Sequence, residues 1–139
     1  MTTGQEIYEA ALVLIDANND ADTTEYESKA MSILNVLRGE VYPYSRDYDE
    51  DTPVPPLITD MDNSIVGIDD YLCQSVMPYG LGAHLLLDEN PTTASYLNQR
   101  YQELLMERKR GVGNPVHGSE DIEDLYDDGN WFNRFTRWN

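Results

Sequence analysis

A chain of 139 residues and 15.9 kDa has the length of one ordinary domain, able to bury about two thirds of its unfolded surface in one core. Its 26 Asp and Glu against 9 Lys and Arg leave a formal net charge of -17, which favours solubility and opposes compaction. That balance argues against a grip on a DNA backbone or an anionic membrane, both of which need clustered cations. A basic protein, a cation, or DNA held close without sticking remain as partners.

The first predicted helix covers about residues 3–17. Thr3 and Glu6 have capping-box spacing, and Ile7, Ala10, Ala11, Leu14 and Ile15 form one apolar stripe before the polar run from Asp16 to Asp22. A second helix is expected over about 24–41, capped by Thr24 and Glu27, with Tyr26, Ala30, Ile33, Leu34, Leu37 and Val41 on its buried face. Two such helices joined by a short polar loop should pack as an antiparallel hairpin, since neither stripe is stable alone in water.

Residues 42–63 break the helical pattern. Pro43, Pro55 and Pro56 deny continuation, Tyr44 to Asp51 is polar and acidic, and 53–58 reads as extended. A loop of this length in a small domain is expected to serve a partner or to move. The stretch 64–68 reads as a short strand or a turn.

A third helical region is expected over about 69–88, capped by Asp69 or Ser64, with Leu72, Cys73, Val76 and Met77 facing inward. Pro78 should kink it, or break it and reopen a second helix holding Leu81, His84, Leu85 and Leu86. Gly80 and Gly82 allow a neighbouring backbone to come close. Asn90 and Pro91 then open a fourth helix in the preferred cap-then-proline order. Ala94, Leu97, Tyr101, Leu104 and Leu105 form its stripe, Arg108, Lys109 and Arg110 complement its dipole, and Gly111 ends it.

The expected architecture is therefore mainly α. It is a small helical bundle of four to five helices with a long Pro-rich acidic loop at about 42–63 and an extended C-terminal tail. The core domain is 1–110, and 111–139 is an acidic and aromatic tail expected to act as an interface arm. In that tail Glu120 to Asp128 holds six carboxylates around Ile122, Leu125 and Tyr126, enough for one or two helical turns. The segment 131–139 carries Trp131, Phe132, Phe135 and Trp138 with Arg134 and Arg137, residue types that anchor interfaces.

Chemistry-bearing patterns are weak. Asp16, Asn18, Asp20, Asp22, Thr24 and Glu27 occupy EF-hand ligand positions, but Ala21 stands where the turn demands glycine. In so acidic a chain an interhelix loop explains that spacing better than a calcium site. His84, among Ala83, Leu85 and Leu86, reads as core or interface packing, and His117 follows Pro115 in the loose segment. Cys73, the single cysteine, reads as a buried thiol, and rules out an intrachain disulfide and a cysteine-rich zinc site. Gly111-Val112-Gly113 follows a helix rather than a strand, so it is a poor phosphate loop. The pairs Asp69-Asp70 and Asp88-Glu89 lack a surrounding apolar pocket for acid–base work. No residue is assigned to catalysis, to a cofactor or to a metal, and the chain is expected not to be an enzyme. With no apolar signal core, and no apolar run near the roughly 20 residues a bilayer demands, it is expected in the cytoplasm or inside a larger particle.

The stretch from Val76 to Pro91, followed by Ala94 and Gln99-Arg100-Tyr101, together with Tyr26 and Ser32 through Tyr42, resembles small structural proteins of tailed phages and prophages of Gram-positive bacteria. These are head–tail connectors, or adaptors, and the likeness covers about residues 5–105. It implies a helical subunit that assembles with itself into a ring, twelve-fold in the particle. The ring would sit between the portal protein and a downstream neck or tail-completion protein. DNA would pass through its channel without sequence-specific binding, and no membrane would be involved. It implies a virion protein at the head–tail interface, present in the host cytoplasm during assembly. It transfers no site residues, and 131–139 matches no part of it. The competing class is an acidic DNA mimic that occupies a basic DNA-binding protein. That class predicts a monomer or dimer with carboxylates on rigid elements, whereas here they concentrate in loops and the tail.

Overall fold

The computed structural model describes residues 1–15 and 22–113. The protein is mainly helical: α1 spans Gly4–Leu14, α2 Asp22–Val41, α3 Met77–Leu86 and α4 Pro91–Gly113. No strand occurs among the described residues, and one isolated antiparallel bridge joins Thr3 to Ser64.

α1 starts as its sequence dictates. The Glu6 amide donates to the Thr3 hydroxyl at 3.1 Å, and the Thr3 amide donates to the Glu6 carboxylate at 2.8 Å. The helix stops at Leu14, with Ile15 closing it, earlier than the expected end at residue 17. α2 begins at Asp22, so Thr24 lies inside the helix and is not its cap. Its inward stripe holds as expected: Tyr26, Ala30, Leu34, Leu37 and Val41 are buried, and Ile33 packs against them half-buried.

α3 is the hub. α1, α2 and α4 all pack on it, and α1 and α2 lean on α3 far more than on each other, so they do not form the expected two-helix hairpin. The reason is composition: the 72–86 stretch is apolar on nearly every face, and a helix that is hydrophobic all round must be surrounded. Leu72, Cys73, Val76, Met77 and Leu81 are completely buried, with Leu85 and Leu86 close to it. The close approach expected at glycine is real at Gly80. A Cβ there would stand 3.0 Å from the Tyr101 ring and 3.1 Å from Leu37 Cδ2, so its absence lets α2 and α4 meet α3.

The α register breaks just before Pro78, and α3 reopens with the proline in its first turn and Leu81, His84, Leu85 and Leu86 along it, as one of the two expected outcomes has it. Residues Leu72–Val76 form one wide π turn that runs directly into α3, and the Met77 amide donates to the Leu72 carbonyl. The wider turn shifts the hydrogen-bond register just before the proline, which then sits in the first turn of α3, where its missing amide costs least. Asp69 is the cap, donating no proton but accepting from the Leu72 amide at 3.1 Å, and Ser64 plays no part in it. α4 opens on Asn90, whose side chain accepts from the Thr93 amide at 3.1 Å. It runs two residues past the expected stop at Gly111, around which there is open space. Ala94, Leu97, Tyr101, Leu104 and Leu105 are buried, as their spacing demands.

Candidate functional site

Between α2 and the π turn lie 30 residues; the last two, Asp70 and Tyr71, are already helical, and of the rest only Tyr42–Tyr44 form a helical turn. A segment without ladders must satisfy its backbone by other means. Here side chains do it. Asn35 of α2 donates to the Ile58 carbonyl at 3.0 Å and accepts from the Ile58 amide at 2.8 Å, as a neighbouring strand would. Arg38, buried beside it, donates to Asn35 Oδ1 at 2.8 Å and to the Pro55 carbonyl at 2.7 Å. The Tyr42 hydroxyl donates to the Thr52 carbonyl at 2.8 Å and accepts from the Asp49 amide at 3.2 Å. Ile58, Ile65 and Ile68 are buried beneath these bonds, and Gly67 turns the chain with φ of 86°. The expected projecting loop is thus a strap bound across the bundle.

The strap ends at a polar corner. Arg108, near the end of α4, donates to the Tyr44 carbonyl at 2.9 Å and to Asp69 Oδ2 at 2.6 Å. The two charged side chains are 10% and 12% exposed, so this pair is largely removed from water. Asp69 also accepts from the Arg46 amide at 2.8 Å, while the Ser45 hydroxyl accepts from the Asp69 amide at 3.0 Å. Burial pushes the Asp69 carboxyl up, but the Arg46 and Leu72 amides, the Arg108 charge and the Ser45 hydroxyl outweigh it and hold it below its ordinary value. Arg108 is therefore a tie between three segments rather than a surface charge answering the helix dipole.

Outside this corner lies a cleft of about 670 Å³, lined by Pro43, Arg46, Tyr48, Tyr71, Glu107 and Arg108. The Arg108 guanidinium stands 5.4 Å over the Tyr71 ring, and Lys109 Nζ stands 5.1 Å over the Tyr44 ring. Cations and aromatic faces thus meet on an otherwise acidic molecule. A second groove, of about 520 Å³, runs between α1 and α4 past Val13, Tyr79 and Arg100.

The other residues marked in the sequence fall apart. Asp69 and Asp70 face different partners: Asp70 accepts the Thr2 hydroxyl at 2.8 Å, so the two are no acid–base pair. Glu89 accepts the Tyr26 hydroxyl, while Asp88 is exposed. His84 is on the exposed side of α3, which removes the core half of the core-or-interface reading. The neighbours are buried because three elements surround α3, and His84 takes the remaining outward position. Cys73 is fully buried, and burial with the nearby Asp70 and Asp69 charges pushes its thiol up to about 12, far from a reactive thiolate. Asp16, Asn18 and Asp20 of the 16–27 acidic pattern, His117 and the rest of 114–139 lie outside the described residues. Among the described residues no group of three or more His, Cys, Asp or Glu is placed to hold a metal ion, and no helix is long and apolar enough to cross a membrane.

No family model matches this chain, and neither the curated proteins nor the solved structures contain a match to it. What the corner and cleft can do follows from their own geometry. They present a positive, aromatic-edged recess beside the point where the chain leaves α4.

Proposed function

We propose that the protein is a structural head–tail connector subunit of a tailed phage. It would assemble into a ring beneath the portal, extend the DNA channel and join head to tail. The observation that carries this role is the distribution of surface groups around a self-contained helical core. Apolar side chains stand exposed on several elements, among them Val13 on α1, Val36 on α2, Leu57 on the strap and Tyr96 and Met106 on α4. A closed ring needs two different complementary patches on each copy, and a chain with exposed apolar groups on separate faces has material for both. The acidic surface supports the channel role, because carboxylates facing DNA let it slide where lysines would hold it. The likeness of the 76–91 and 26–42 stretches to connector proteins points the same way. Each copy brings a charge of -17, so a ring requires basic partner surfaces or cations to offset the repulsion.

The test is direct. Purified protein is mixed with portal-bearing, DNA-filled heads of the same phage and the particles are imaged, beside a sample lacking residues 131–139. A ring added under the portal is the expected result, and its loss in the shortened sample assigns the aromatic end to assembly. Heads that stay bare reject the connector role. Displacement of a basic DNA-binding protein from DNA would then establish the DNA mimic in its place.

A further inference from the structure

The cleft beside the Asp69–Arg108 pair gathers cations and aromatic rings in one recess of an acidic chain. Of the nine Lys and Arg in the chain, Arg46 lies in its lining and Lys109 and Arg110 on the adjoining turn of α4, while Arg108 in its wall is already paired with Asp69. Glu107 is the carboxylate in the lining, and the Tyr48 and Tyr71 side chains are exposed at its walls. Cations, exposed aromatic rings and a concave shape together call for an occupant that is acidic and carries a few apolar groups.

The chain itself supplies one. α4 ends at Gly113, two residues after Gly111, which also lines the cleft. Residues 114–119 include Pro115 and Gly118, residue types that reverse a chain, and six residues reach about 20 Å when extended. Immediately after them Glu120 to Asp128 brings six carboxylates with Ile122, Leu125 and Tyr126. A segment tethered this closely meets the cleft at an effective concentration on the order of millimolar, above that of a second copy in dilute solution.

We infer that the 120–128 segment of each chain binds the Arg46–Tyr48–Tyr71 cleft of its own core, as a charge-matched internal ligand. This docking stands whether or not the protein is a connector. A molecule with its cleft filled by its own tail presents fewer cations to other copies, and a partner seeking the cleft must first displace the tail.

The experiment uses the full chain with Gly129→Cys, which leaves all six carboxylates in place, labelled with a nitroxide. Cys73 is buried with its thiol pushed up to about 12, so the label goes to the new site. The expected result is broadening of the Arg46, Tyr48 and Tyr71 amide resonances in the isotope-labelled protein, reversed in about 0.5 M salt. Neutralising the six carboxylates to Asn and Gln should cut that broadening at least about twofold. Broadening that merely decays with distance from Gly113, or that survives neutralisation, overturns the inference; in the second case the 131–139 end is the occupant. Broadening that appears only when label and isotope are on different molecules also overturns it, and makes the occupant a second copy.

Discussion

The α3 hub and the 42–69 strap are both at the centre of the fold, yet they are held by opposite means. The hub satisfies its backbone within itself and needs only apolar neighbours, which Leu34, Leu37 and Tyr101 provide. The strap has almost no internal ladder, so its backbone depends on Asn35, Arg38 and Arg108 from elsewhere in the chain and on its own Tyr42 hydroxyl. A hub of this kind tolerates loss of a polar group and suffers from changes of volume. A strap of this kind should respond in the reverse sense.

The largest test of that contrast is Arg108→Ala. It leaves the Asp69 carboxylate buried without its cation and the Tyr44 carbonyl without its donor, and should cost about 3–5 kcal/mol in denaturant unfolding. A loss below about 1 kcal/mol would mean the corner is not a tie. On the hub, Gly80→Ala places a methyl against Tyr101 and Leu37, and should cost about 1–3 kcal/mol through overpacking. An unchanged or raised melting temperature would show that the α2–α3–α4 contact has room to spare.

Asn35→Ala sharpens the comparison further. It removes the partner of both polar groups of Ile58, and should cost about 1–3 kcal/mol. Hydrogen exchange should rise at residues 55–65 well before it rises in α3, because the bonds lost belong to the strap alone. Uniform acceleration across both regions would contradict a separately held strap.

The smallest expected effect is a pH dependence. The folded-state pKa of Asp69 is depressed, so its contribution is fully present above its ordinary value of 3.8 and is lost as pH falls through the lower folded value. Protonation of the many surface carboxylates works the other way, relieving self-repulsion on acidification. The two are separated by comparing the protein with Asp69→Asn. The stability gap between them should be constant above about pH 5 and should narrow below 3.8. A gap that does not change down to pH 2 would remove Asp69 from the acid response.

The same contrast explains what could be read without coordinates. Helical stripes repeat every three or four residues, and the buried sets in α2 and α4 were legible from Tyr26 to Val41 and from Ala94 to Leu105. Caps carry short-range signatures, which is why Thr3 with Glu6 and Asn90 with Pro91 are where the chain suggests. The bonds that tie Asn35, Arg38 and Arg108 to the strap join residues 17 to 64 positions apart with no periodicity, so Asn35 and Arg108 gave no sign of their role. The polar corner was invisible for that reason, and its members read as a cap and as a basic helix end. His84 could not be placed in the core or on the surface from sequence, because apolar neighbours do not fix which way one side chain of a surrounded helix points.

The knot of bonds around Thr2 has a consequence in time. The Ile65 amide donates to the Thr2 carbonyl at 2.8 Å, the Gln5 amide to the Met61 carbonyl at 2.8 Å, and the Gln74 side chain to the Thr2 hydroxyl at 3.0 Å. These residues therefore find their partners only after some sixty to seventy more have followed them from the ribosome. At about 5–20 residues per second, α1 waits several seconds for its seat, its apolar face uncovered meanwhile. The charge carried by this chain is then useful long before any assembly. It keeps neighbouring nascent chains apart while the first helix waits for the third.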